Sequence, residues 1–238
     1  MKRTWIILGA TSVIAEQFAH IAAKENYKLR LVGRDVEHLS LICQDIQLRF
    51  HVTCELAVCD LNQETEPLLS LFDSLDGECD LFIAHSDFTD NHHLTTPSIN
   101  SIIKINVLST VSIINYYLHL NQKEHHLLYL SSVAACRGRA KNSLYGGTKA
   151  AIEVYLQGLQ QAASPTQHIS IAKLGFIDTK QTYGLPGVFY AAPPQLCAQA
   201  CWKAVKNKKR EFYFPKFWFF IMTIIRSLPF FVYKKLVV

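Results

Sequence analysis

Short, nearly continuous apolar runs alternate along the chain with helix-length segments of mixed polarity. The runs are T-W-I-I-L-G, K-L-R-L-V-G, C-E-L-A-V-C-D, D-L-F-I-A-H, H-L-L-Y-L-S and I-S-I-A-K-L. Helices are predicted after the first three, reaching about Asn26, Arg49 and Leu75, then over about Ile99 to Leu120, and from Tyr145 to about Ala163. Strands without a polar face, separated by helices, predict an α/β fold: a doubly wound parallel sheet with helices on both faces.

Composition narrows the picture little further. With 238 residues, half of them hydrophobic, the chain can bury one sizeable core. Nothing between its ends has the composition of a linker, a low-complexity tract or a repeat. One domain over residues 1–214 is expected, with a hydrophobic and basic tail over 215–238.

In such a sheet ligands lie beyond the carboxyl ends of the strands, and the first strand-to-helix turn holds phosphate. That turn is Gly9-Ala10-Thr11-Ser12-Val13-Ile14-Ala15, with small and hydroxyl residues opening a helix. It suits a pyrophosphate cradled by backbone N–H groups, and equally a plain helix cap by Thr11 or Ser12. The second strand ends Gly33-Arg34-Asp35. A carboxylate at the strand end would accept from the ribose hydroxyls of NAD, whereas a cation suits the 2′-phosphate of NADP. Gly33 and Arg34 occupy those places, so NADP is expected over NAD. Asp35 is left to pair with Arg34 or to cap the next helix.

Tyr145 and Lys149 stand four residues apart, on one face of a helix, and Ser132 stands thirteen residues before the tyrosine. An ammonium beside a phenol favours the phenolate and would bring a sluggish proton donor toward its working range. The bland alternative is a half-buried tyrosine next to an exposed lysine.

Taken together, Gly9-Ala10-Thr11-Ser12, Asp60-Leu61, Asn106 in K-I-N-V-L, Ser132, Tyr145 and Lys149 resemble the short-chain dehydrogenase/reductase family, in order and over about residues 4 to 214. The resemblance implies a Rossmann-type NAD(P)-binding domain that interconverts ketones and alcohols. It implies Tyr145 as general acid, Lys149 as the group that lowers its pKa and holds the nicotinamide ribose, Ser132 as a partner of the substrate carbonyl, and Asn106 as the holder of a relay water. Asp60 and Leu61 would meet the adenine and Thr179 the carboxamide, while Gly9, Thr11, Ser12, Val13, Ile14 and Arg34 complete the cofactor set. A homo-oligomer, dimer or tetramer, is implied as well.

Three places depart from the family pattern. Val13 and Ala15 stand for the second and third glycines of the turn, Ala84-His85-Ser86-Asp87 replaces Asn-Asn-Ala-Gly after the fourth strand, and Leu174-Gly175 replaces Pro-Gly after the sixth. Within the family, the pattern G-A-T-S-x-I-A is most similar to decaprenylphosphoryl 2-keto-ribose reductases, which points to a lipid-linked substrate. The departures keep open a catalytically idle NADP-binding sensor or scaffold. An epimerase would normally need a longer chain with a substrate lobe. The loop from Gly175 to Ala192 is expected to cover the substrate.

The charge is uneven. From Lys203 to Val238 there are nine Lys or Arg against Glu211 alone, a balance of +8, so the chain's +5 leaves −3 for residues 1–202. Interleaved aromatic and aliphatic residues, too few in any run to span a bilayer and broken by Pro229, have the character of an interfacial membrane anchor. The alternative is a helix packed on the body or on another subunit. On the anchor reading, a chain ending near Pro215 stays in solution and still binds NADPH. Nucleic acid is not expected as a partner, since the tail lacks the polar, extended character of a phosphate-binding arm. Seven cysteines without a Cys-x-x-Cys pair, and no signal peptide, point to reduced thiols in the cytoplasm, at the inner face of the membrane if the tail anchors there. No metal is expected. His92-His93 and His125-His126 are expected in surface loops.

Overall fold

The computed structural model describes residues 3–63, 66–179 and 190–236. Seven parallel strands form one sheet in the order β3-β2-β1-β4-β5-β6-β7. They are β1 (Thr4–Leu8), β2 (Lys28–Gly33), β3 (Cys54–Val58), β4 (Cys79–Ile83), β5 (His125–Ser132), β6 (Gln167–Leu174) and β7 (Glu211–Phe214). The helices are α1 (Val13–Lys24), α2 (Val36–Phe50), α3 (Glu66–Asp73), α4 (Thr96–Ile103), α5 (Ser109–Leu118), α6 (Ser143–Ala162), α7 (Pro194–Lys206), α8 (Phe217–Ser227) and α9 (Phe230–Tyr233).

The two faces of the sheet build two cores, because side chains alternate along each strand. Trp5, Ile7, Leu29 and Leu31 face α1, α2 and α7, with Phe18 edge-on to Trp5 at 5.0 Å between ring centres. Ile6, Leu8, Leu81, Ile83 and Leu127 face α5 and α6, where Ile113, Tyr117, Ile152 and Leu156 are buried. The strand order reverses between β1 and β4, the switch point at which such sheets bind ligands.

Three features differ from the sequence expectations. The single helix expected over Ile99 to Leu120 is two, joined by a π-helical turn over Lys104–Leu108 that contains Asn106. Residues 96–118 have the length and hydropathy of a bilayer span, yet Ile105, Ile113, Ile114 and Tyr117 are packed into the core. His125 begins β5 and is 4% exposed, so the His125-His126 pair belongs to a strand and not to a surface loop. β7 lies within the basic segment, where no strand is expected: Glu211–Phe214 pairs with Ile171–Leu174 and extends the sheet.

The segment after β7 packs on the body by one face. Trp218 and Met222 of α8 are buried against Val133, with Phe176 and Tyr213 beside them. Gly175 makes this approach possible, since a Cβ there would lie 1.8 Å from Trp218 Nε1. Arg137, in the loop before α6, donates to the carbonyls of Ile225, Arg226 and Leu228 and lies 3.8 Å over the Tyr233 ring. Tyr233 in turn donates to Gly138 O at 2.5 Å. The opposite face is open: Phe219, Phe220, Ile224, Phe230 and Phe231 are all more than half exposed.

Candidate active site

A cavity of about 660 Å³ runs across the carboxyl ends of β1, β2, β4, β5 and β6. Every residue predicted from sequence for the site lines it except Asn106.

At one end is the turn after β1. Gly9 has φ +72°, and a Cβ there would lie 2.7 Å from His85 N, so the tight approach of this turn to the loop after β4 requires glycine. The backbone N–H groups of Gly9 and Ala10 both donate to Val32 O. Ser12 is the N-cap of α1, but its side chain makes no cap hydrogen bond. The plain-cap alternative is therefore not realised, and the first-turn donors of α1, with the positive end of its dipole, are left for an anion.

At the end of β2, Asp35 caps α2 by accepting from His38 N at 3.0 Å. That settles its role and leaves Arg34 with no hydrogen bond or ion pair to another described residue, exposed on the cavity wall. After β3, Asp60 accepts from Asn62 N at 3.0 Å, which shapes the turn that carries Leu61 onto the wall. An anion-ready turn, a cation one strand away that is unpaired among the described residues, and small or apolar residues between them fit a dinucleotide. Gly9, Thr11, Ser12, Val13, Ile14, Arg34, Asp60 and Leu61 are the residues that would hold it.

At the other end Ser132 closes β5, with Oγ accepting from Ala134 N at 3.1 Å. Tyr145 comes from the first turn of α6, and the Ser132 and Ser86 hydroxyls both lie beside its phenol. Burial pushes the phenol above its ordinary value, while the two hydroxyls and the Arg139 guanidinium pull it down. Lys149, one turn further along α6, is 3% exposed, donates to Leu130 O at 2.8 Å and stands 5.9 Å from the Tyr145 ring centre. Burial brings its ammonium down to about 7, against the opposing charge of Glu153. Arg139 is a cation whose charge lowers the phenol, and Lys149 stands beside the ring with its amine bonded to Leu130 O.

Asn106 is turned away from the cavity. Its Oδ1 accepts from Asp87 N at 2.7 Å, and its Nδ2 donates to Asp87 O at 2.9 Å and to Thr148 Oγ1 at 3.1 Å. The side-chain amide clasps the loop after β4 and ties it to α6. The π turn that carries Asn106 has the shape often found beside functional sites.

Sequence reasoning missed two cavity residues. Ser86, third in the unusual Ala84-His85-Ser86-Asp87 loop, approaches the phenol. Its neighbour His85 has a structural place: Nε2 meets Thr110 Oγ1 at 3.0 Å, and burial holds the imidazole down to about 3, neutral at any ordinary pH. The second omission, Arg139, has a signal in retrospect: cations at alternate positions, Arg137, Arg139 and Lys141, between Ser132 and Tyr145. Thr179 lines the cavity beyond β6. Of the loop expected over the substrate, residues 180–189 lie outside the described residues. Its ends are joined, Asp178 N donating to Ala192 O and Ala192 N to Phe176 O.

Residues 3–185 match the family model described as short chain dehydrogenase. An uncharacterized oxidoreductase of Staphylococcus saprophyticus is 25% identical over 182 residues, 73% of this chain and 78% of that one. Among solved structures, a short-chain dehydrogenase from Sphingobium yanoikuyae in complex with NADPH superposes with a TM-score of 0.80 at 19% identity, covering 90% of this chain and 88% of the other. An alcohol dehydrogenase from the archaeon Thermococcus sibiricus, complexed with 5-hydroxy-NADP, gives 0.77 at 19% identity over 90% and 96%. At these identities the two structures establish a shared fold.

Proposed function

Because the chain belongs to the short-chain dehydrogenase/reductase family of NAD(P)-dependent oxidoreductases, we propose that it reduces a ketone to an alcohol with NADPH, Tyr145 supplying the proton. The observation that carries this reading is that a single cavity has an anion-ready turn at one end and a phenol flanked by two hydroxyls at the other. When bound, the nicotinamide cofactor supplies the hydride. As charge develops on the carbonyl oxygen, Ser132 donates a hydrogen bond to it and Tyr145 donates a hydrogen bond and then its proton. A phenol held above its ordinary value is protonated at neutral pH, which suits an acid in the reducing direction. Lys149, neutral or charged, keeps donors to offer to ribose hydroxyls, and Thr179 to the carboxamide. Asn106 acts by holding Asp87, and through it the loop that brings Ser86 to the phenol. Incubation of purified protein and NADPH with a panel of ketones tests the reading; loss of NADPH absorbance in step with alcohol formation is expected.

Cofactor choice follows from Arg34. An unpaired guanidinium at the strand end offers a bidentate contact to the 2′-phosphate. Arg34→Ala is expected to weaken NADPH by roughly 1.5–3 kcal/mol, the range for a charge-assisted hydrogen bond, and to leave NADH nearly unaffected. Equal losses for both cofactors in a fluorescence titration would remove Arg34 from that role.

The substrate is proposed to be lipid-linked, presented at the inner face of a membrane. Phe220, Ile224, Phe230 and Phe231 of the α8 and α9 segment are exposed, and Lys216, Arg226, Lys234 and Lys235 are interspersed among them in sequence to meet anionic headgroups. The same segment braces the loop before α6 that lines the cavity, so docking there would set the cavity near the lipid surface. Full-length protein is expected to sediment with vesicles containing anionic lipid and to be released by salt. Phe220→Ser with Phe231→Ser, which leave Trp218 and Met222 in place, should abolish sedimentation. Unchanged sedimentation of the double variant would refute this docking face.

A further inference from the structure

Arg139 is set apart from the other arginines by being half-buried without a partner among the described residues, where the unpaired Arg34 is exposed. Arg3 is ion-paired with Glu78 and Asp80, Arg30 with Glu55, and Arg137 caps the end of α8. Arg139 is half-buried on the cavity wall and has no hydrogen bond or ion pair to another described residue. Burial pulls its guanidinium below the ordinary value, so the cation is held where water serves it poorly.

Asp87 and Asp90 line the same cavity, and neither pairs with Arg139. Asp87 accepts from Phe88 N at 2.9 Å and from the Ser101 hydroxyl at 3.1 Å, and Asp90 lies 3.8 Å from Lys141 Nζ. The segment 180–189 contains no Asp or Glu. The cofactor's phosphates do not account for Arg139 either. Arg139 follows β5, three strand spacings from Arg34 after β2 and two from the anion-ready turn after β1, or about 14 and 10 Å across the sheet. Arg139 acts instead at the proton-transfer end, where its charge is felt by the Tyr145 phenol. A half-buried cation without a partner among the described residues bears part of its desolvation cost unless a ligand supplies the opposite charge.

We propose that Arg139 is the anion-binding residue of the substrate pocket. The ketone carries a carboxylate or a phosphate a few atoms from its carbonyl, held by the planar guanidinium while the carbonyl oxygen meets Tyr145 and Ser132. This inference rests on the reductase reading and names its substrate class.

Two matched pairs test it: levulinate against its methyl ester, and dihydroxyacetone phosphate against dihydroxyacetone. In the wild type the anionic member of at least one pair is expected to have the higher kcat/KM by roughly 10- to 100-fold, as a charge-assisted contact gives, and the preferred pair tells carboxylate from phosphate. Arg139→Gln should collapse that ratio toward one, and Arg139→Lys should restore part of it. A wild-type ratio near one in both pairs, or a ratio that survives Arg139→Gln, overturns the proposal. If no ketone is reduced, the reductase reading fails by itself, and calorimetric titration of the full-length protein with levulinate and with dihydroxyacetone phosphate, each with NADP⁺ present, still decides the subsite. Binding of either by the wild type that is lost in Arg139→Gln supports it; no difference between the two proteins for either probe overturns it.

Discussion

Tyr145→Phe is expected to lower ketone reduction by roughly 10³-fold, within the range for loss of a positioned general acid. The change removes one oxygen from a ring that packs edge-on against Phe88 at 5.3 Å, so the cavity wall keeps its shape. NADPH binding should therefore change by less than about threefold, and the loss should appear in kcat and kcat/KM alike, because the interaction removed is one that strengthens in the transition state. Ser132→Ala provides an internal control, being expected to cost less, since Ser86 remains beside the phenol. Retention of most of the turnover in Tyr145→Phe would take the proton-transfer role away from Tyr145.

The second large effect is on stability. Trp218 is 4% exposed and Met222 1%, both in the cluster with Val133, and Trp218 also lies against the backbone at Gly175. Trp218→Ala should lower the free energy of unfolding by roughly 3–5 kcal/mol, the cost of emptying a large aromatic site in a core. Ending the chain at Pro215 should cost more, because it also strips Arg137 of its three carbonyl partners and frees the loop that carries Arg139. Chemical denaturation of the two variants, followed by tryptophan fluorescence and by circular dichroism, measures both losses. A midpoint unchanged by the truncation would show α8 to be a detachable appendage, as the sequence expectation of a soluble, NADPH-binding truncated chain has it. The packing of α8 argues for the opposite outcome.

The order of strands and helices was legible because parallel strands covered on both faces leave nearly unbroken apolar runs, as β1, β4, β5 and β6 do here. β7 escaped because E-F-Y-F is a short edge strand whose residues are half-buried or exposed, set among lysines that mask the pattern. The π turn at Asn106 was equally invisible. It adds one residue to a helical turn without changing composition, and only the bonds from Asn106 to Asp87 show what it is for. The site residues were legible where chemistry fixes their spacing, as for Ser132, Tyr145 and Lys149.

What the chain could not show was the electrostatic balance. Spacing says that Lys149 and Tyr145 share a helix face; it does not say that Lys149 is buried and bonded to Leu130 O, or that Arg139 is unpaired. Asp35 illustrates the same limit. Its two possible partners, Arg34 and the next helix, differ by a rotation of one side chain, and the choice of helix capping is what leaves Arg34 free.

The central claim is that one cavity binds NADPH and passes a hydride to a carbonyl under acid assistance from Tyr145. Its most direct test is a single-turnover reaction of NADPH carrying deuterium at the transferred position, with product alcohol examined by mass spectrometry. Deuterium on the carbinol carbon in the wild type, absent or slowed by roughly 10³-fold in Tyr145→Phe while NADPH still binds, is the predicted result. NADPH that binds and is never oxidised by any ketone of either charge, or deuterium transfer that proceeds unchanged in Tyr145→Phe, would contradict it.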